Sequence, residues 1–192
     1  KPIIITEAGW HNNATIPHGD DTLQVRYVQQ LYTQAKASGV SMLAWWPFAD
    51  ASGSYTYNSG LVTHAINGSV TLKSAYYAYA VFAREIAGAT YVAEIKASAD
   101  AKVYKFQDAK GRTIYVAWTN PTDLNSVFGS AKYPYKDTTR STTISLVGTG
   151  ATVYDAFWTQ TAAVADADDG RADSRVRVPI NGNPKYIIVE GN

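Results

Sequence analysis

The sequence predicts an α/β segment followed by an all-β segment. Two observations carry this. Up to residue 88, apolar residues fall alternately in short continuous runs and at helical spacing, in the order strand, helix, strand, helix. From Tyr91 the period drops towards two, and turn residues recur between short strands. We therefore expect residues 1–88 to form two consecutive β/α units of a parallel fold. Residues 89–192 are expected to form an antiparallel β-sandwich.

The elements follow in order. Ile3-Ile4-Ile5 is a continuous apolar run, as in a strand buried on both faces. His11 to Gly19 is a polar loop, and Asp20-Asp21 can cap the helix after it. Leu23, Tyr27, Val28, Leu31 and Ala35 recur at helical spacing, and Ser38-Gly39 closes that helix. Val40 to Phe48 is a second apolar strand, and Ala51 to Gly60 a loop rich in Ser, Gly and Tyr. Asn67-Gly68 predicts a tight turn between Leu61-Val62 and Val70-Thr71. Lys73 to Ile86 reads as a helix with Tyr76, Tyr79, Ala80, Ala83 and Ile86 on one face, ending before Gly88. Six strands are then expected, at Val103–Gln107, Thr113–Trp118, Thr142–Leu146, Thr152–Asp155, Arg175–Pro179 and Tyr186–Glu190. Ala162 to Asp173 reads as a loop of low order.

Composition excludes several function classes. The chain has 192 residues, too few for a complete (β/α)8 barrel beside a second domain, since a barrel alone takes roughly 200 or more. A net charge of +1 with no Lys/Arg cluster argues against a nucleic-acid partner. With no cysteine there is no disulfide, thiol nucleophile or thiolate metal site. The longest apolar stretch, Ala75 to Ala93, carries Arg84 and Glu85 in its middle, so no membrane-spanning helix is expected. Sparse charge with 14 Tyr and 5 Trp suits an extracellular or periplasmic β-rich protein or a carbohydrate binder. The chain begins at Lys1 and runs at once into a core strand, so we expect it to be a piece of a longer protein or a processed product.

The residues with chemistry stand at the ends of the two apolar strands. In Thr6-Glu7-Ala8-Gly9-Trp10 a carboxylate sits where a parallel strand runs out into a loop, the end at which α/β barrels build active sites. On this pentapeptide alone, Glu7 reads equally as an end-of-strand cap or ion pair. Ala44-Trp45-Trp46-Pro47-Phe48-Ala49-Asp50 ends the second strand with aromatics and a carboxylate. Alternation makes Trp45 core and leaves Trp46 free to act as a flat platform for the C–H face of a sugar. Trp10 and His11 are neighbours of Glu7, although a loop-surface role suits His11 equally well. Tyr55 and Tyr57 lie on the loop after the second strand, where packing is the commoner use. His18 and His64 have no metal-ligand spacing, and Asp166, Asp168, Asp169 and Asp173 do not match a calcium loop. No metal or cofactor is implied. Trp118, Phe157 and Trp158 read as core or packing residues rather than a sugar platform.

Ile4-Ile5-Thr6-Glu7-Ala8-Gly9-Trp10 resembles the seventh barrel strand of clan-A glycoside hydrolases, in which Thr or Ser, Glu, any residue and Gly follow an apolar run. Leu43 to Asp50 is similar to the eighth strand, commonly Trp-x-Phe-x-Asp. Lys73-Ser74-Ala75-Tyr76-Tyr77-Ala78-Tyr79, after Gly60-Leu61, resembles the start of the last barrel helix. Asn183-Pro184-Lys185-Tyr186-Ile187 resembles the last strand of the small β-domain that follows the barrel in several of these families. The resemblance implies the last two β/α units of a partial (β/α)8 barrel followed by an accessory sandwich. It makes Glu7 the catalytic nucleophile of a retaining glycosidase acting on a β-linked glycan, with Trp46 as platform and Trp10, His11, Asp50 and Tyr55 as further substrate contacts.

One departure matters. A retaining glycosidase needs a second carboxyl about 5–5.5 Å from the first. In this clan it is a Glu preceded by Asn on the fourth strand, and this sequence contains no Asn-Glu pair. The chain alone is therefore expected to be inactive, with a carbohydrate as ligand. Either the missing barrel segment or self-association is expected to cover its open sheet edges. The rival reading is a carbohydrate-binding or structural sandwich carrying a non-catalytic barrel remnant.

Overall fold

The computed structural model describes residues 1–15, 19–51, 57–64, 67–120 and 140–191. Among them the chain divides into two compact units, with the border between Phe82 and Ala83, inside the second helix.

The first unit opens with β1 (Ile3–Ala8), α1 (Asp21–Ala37) and β2 (Val40–Trp45) and closes with most of α2 (Ser74–Glu85). β1 and β2 pair in parallel, with Ile5 beside Leu43 and Ala8 beside Trp45. Asp20 caps α1 as expected, its carboxylate accepting from the N–H groups of Thr22 (2.6 Å) and Leu23 (3.2 Å). Gly39, at φ 72°, ends it in the left-handed region that glycine adopts without strain. Asn67 and Gly68 both have positive φ (53° and 79°), as the asparagine–glycine turn requires, and Val62 bridges antiparallel to Leu72 across it.

Three expectations need correction here. Ile3 (55 %), Ile4 (53 %) and Met42 (51 %) are exposed, so β1 and β2 are not buried on both faces. A two-stranded parallel sheet simply lacks the layers that cover such strands. α1 buries polar residues as well as Leu23, Val28 and Ala35: Gln24, Arg26, Gln29, Gln30 and Thr33 are all inside. Hydrophobic periodicity cannot register these, because what places Gln24 and Gln29 inside is a set of carbonyls from distant positions. Gln29, for example, donates to the Ala78 carbonyl in α2 (3.2 Å). The buried face of α2 is Ala75, Ala78, Val81 and Phe82, while Ala80 and Ala83 face outward. Tyr79 and Phe82 of α2 meet Tyr32 of α1 at ring separations of 5.1 and 5.6 Å. Burial there pushes the Tyr32 hydroxyl up to about 12.

The second unit is antiparallel. Its six-stranded sheet has the order β3 (Thr90–Glu94), β4 (Ala101–Gln107), β5 (Thr113–Thr119), β10 (Lys185–Glu190), β7 (Gly150–Tyr154), β8 (Gln160–Ala165). β6 (Thr142–Val147) and β9 (Arg175–Ile180) form a separate pair. Val103, Tyr115, Val153 and Ile187 from the large sheet share one core with Ile144, Leu146, Val176 and Val178 from the small one. Two sheets closed over a common apolar layer are consistent with a β-sandwich. Each Val or Ile so buried contributes roughly 1.5–3 kcal/mol relative to exposure. The six expected strands are present, and β3 and β8 were missed.

β8 replaces the first part of the expected loop, and Asp166–Asp169 forms one 3-10 turn after it. There Asp166 accepts from the N–H groups of Asp173 (3.2 Å), Ser174 (3.0 Å) and Arg175 (3.0 Å). Those bonds hold its carboxyl below the usual range. The acidic cluster thus shapes its own backbone, with Asp169 and Asp173 paired to Arg177. Trp118 is core (2 % exposed), whereas Phe157 is 47 % exposed, contrary to expectation. Trp158 lies between: its ring stacks on Tyr154 at 4.6 Å, and Arg84 sits 5.7 Å from its centroid.

Candidate functional site

Glu7 is the penultimate residue of β1 and is exposed. Among the described residues its side chain makes no hydrogen bond or ion pair. Its neighbour across the sheet is the end of β2. Trp45 points inward (8 % exposed) and donates its indole N–H to the Ser59 carbonyl (2.8 Å). Trp46 is half-exposed (49 %), and its backbone N–H donates to the Ala8 carbonyl (3.0 Å). An unengaged carboxylate and an accessible indole therefore stand on adjacent parallel strands at the same end.

Gly9 sets how close the two strand ends come. A Cβ built there would lie 2.5 Å from the Trp46 carbonyl oxygen, closer than real Cβ atoms approach. A Gly9→Ala change is expected to push Trp46 outward and to cost about 1–3 kcal/mol, as overpacked sites do. Urea unfolding measures this, and an unchanged midpoint would mean the strands do not meet at Gly9.

The remaining candidates separate by their partners. Trp10 is half-buried, with its ring 4.3 Å from Tyr27 of α1 and its carbonyl held by the Gln24 amide (2.8 Å). Its ring lines a cavity of about 360 Å³, with Tyr27, Leu31 and Trp45. Glu7 is not among the lining residues, so this cavity belongs to the α1 side of the strand end. His11 stacks 6.1 Å from Trp10 and meets the edge of Tyr57 at 5.6 Å. Tyr57 itself is 47 % exposed, as is Phe48 at 60 %. Tyr55 and His18 lie outside the described residues.

Asp50, expected as a ligand contact, is engaged within the chain. Its carboxylate is taken up by Lys73 Nζ (3.1 and 3.2 Å) and by the Gly60 N–H (2.8 Å). Lys73 is buried (9 % exposed). Burial pushes its ammonium below the ordinary lysine range, and Asp50 draws it partly back up. Sequence reading took Lys73 only as a helix start and missed this role. The signal was a lone lysine beside an apolar helix, with an aspartate at the preceding strand end.

His64 is exposed, and among the described residues no three His, Cys, Asp or Glu are grouped as a metal site would need. No described helix is long and apolar enough to cross a membrane.

With the two units and this strand end in view, the class of fold can be stated: it is one found in glycoside hydrolases. A family 39 glycoside hydrolase from the gut symbiont Bacteroides cellulosilyticus matches 98% of the chain at a TM-score of 0.68 and 18% identity. The catalytic domain of GH30 xylanase C from Talaromyces cellulolyticus matches 100% at 0.60 and 19% identity. The GH51 arabinofuranosidase from Xanthomonas axonopodis pv. citri matches 98% at 0.59 and 9% identity. The chain spans 34% of the first of these proteins and 41% of each of the other two. At such identities the likeness concerns the fold. The chain matches no protein-family model and no curated protein.

Proposed function

We propose that the chain is the C-terminal part of a retaining clan-A glycoside hydrolase, supplying strands seven and eight of its barrel and the accessory sandwich. The observation that carries this is Glu7, exposed and unengaged at the end of a parallel strand, beside the half-exposed Trp46. In the parent enzyme the Glu7 carboxylate attacks the anomeric carbon, and the glycosidic C–O bond breaks. A second carboxyl, carried elsewhere in the parent, protonates the leaving oxygen. Water then cleaves the glycosyl ester, deprotonated by that same second group, and Glu7 is released as carboxylate. Stacking on Trp46 orients the sugar ring over Glu7. The ligand is thus a β-linked oligo- or polysaccharide.

The chain alone holds no Asn-Glu pair to supply the acid/base, and Asp50 is engaged by Lys73. We expect no turnover from it. The test is to read the frame upstream of the Lys1 codon and to assay the full-length product and the 192-residue chain. The expected result is further β/α units with an Asn-Glu at a strand end, and hydrolysis with retained anomeric configuration by the full-length protein only. Inverted product, or a start codon directly upstream, would overturn the reading.

A further inference from the structure

Lys73 Nζ stands at a meeting point of three chain segments. It lies 3.0 Å from Asn12 Oδ1, in the loop after β1. It lies 3.1 and 3.2 Å from the Asp50 carboxylate, in the loop after β2. It lies 2.8 Å from the Asn58 carbonyl, in the segment leading to Gly60. An ammonium has three N–H donors and no acceptor. The three partner residues, Asp50 with both of its oxygens, come from three different segments. We propose that Lys73 is a positioning residue: its buried ammonium holds together the three loops that carry Trp10 and His11, Trp46 and Phe48, and Tyr57.

The physical reason is the cost of burying a cation. Taken out of water, an ammonium is tolerated only where its donors are satisfied and its charge is paired. A loop that drifts away therefore leaves a buried donor unpaired, and the arrangement resists drift in all three directions. The lysine is itself fixed. Its backbone N–H donates to the Leu61 carbonyl (3.0 Å), and its carbonyl accepts from Tyr76 (2.9 Å). The partners are tied a second time. Asn12 donates to Asp21 of α1 (2.6 Å), and Asp50 accepts from Gly60 (2.8 Å). Lys73 is the single side chain among these that reaches all three segments. The inference does not rest on the proposed hydrolase activity, since it concerns the loops and not the reaction.

The experiment is hydrogen–deuterium exchange on the whole chain, comparing the parent sequence, Lys73→Met, Asp50→Asn and the double variant. Methionine keeps the length of the stem and removes all three donors. Asparagine keeps the shape of Asp50, so it serves should Lys73→Met not fold. The expected result is exchange at least tenfold faster in peptides covering residues 10–13, 48–51 and 57–60, with α1 and the sandwich strands unchanged. Asp50→Asn should speed the same peptides. The double variant should be no faster than Lys73→Met, because both changes undo one arrangement. Unchanged exchange in those peptides, an increase confined to α2, additive effects, or a uniform rise across the chain would each overturn the proposal. Failure of Glu7 as a nucleophile would leave these exchange results untouched.

Discussion

Replacing Glu7 by Gln in the full-length protein is expected to lower kcat by at least about 10⁴-fold, the scale seen when a nucleophile that forms a covalent intermediate is removed. On the proposed mechanism an amide of the same shape cannot attack the anomeric carbon, so no ester would form, while ligand affinity stays close to normal. Glu7→Ala adds a sharper readout. It leaves room for azide, which can attack from the vacated face and give a glycosyl azide of inverted configuration. Near-normal turnover by Glu7→Gln would remove Glu7 from the mechanism. An azide product of retained configuration from Glu7→Ala would do the same, since attack would then come from the other face.

Truncating Ile187 to Ala is expected to destabilise the sandwich by about 2–5 kcal/mol. Ile187 is fully buried on β10, the strand that joins β5 to β7 at the middle of the six-stranded sheet. Strands on both sides are fixed by the ladder, so the void left by three carbons has little room to collapse. The drop appears in urea unfolding followed by tryptophan fluorescence, with Trp118 buried in the same unit as a reporter. A loss below about 1 kcal/mol would show that the core re-forms around the gap.

How far these features were legible in the sequence depended on how local their causes are. The α1 cap needed only Asp20 and the two N–H groups after it. The turn at Asn67-Gly68 needed only two residues tolerant of positive φ. Strands with buried alternate residues, such as β9, announced themselves by period two. β8 did not, because its Ala-rich sequence carries little contrast between faces, and only pairing with β7 makes it a strand. The polar side chains inside α1 were invisible for a related reason. Gln24 is buried because the Trp10, Asn58 and Gly60 carbonyls converge on its amide from distant positions. In the site, Glu7 and Trp46 stood out through strand-end position and motif. The Asp50–Lys73 pair, 23 residues apart, did not, because nothing local in the sequence links the two.

Among the described residues, no linker separates the two units. Their border falls within α2, whose Phe82 is counted with the first unit and whose Arg84 and Glu85 are counted with the second. Genes that trade domains break most harmlessly in the floppy stretches between them. This chain offers no such stretch at its border, for any join there splits a helix turn. A recombination that passed the sandwich to another protein would have to carry α2 whole, and Lys73 just ahead of it would be kept or lost with the crossover.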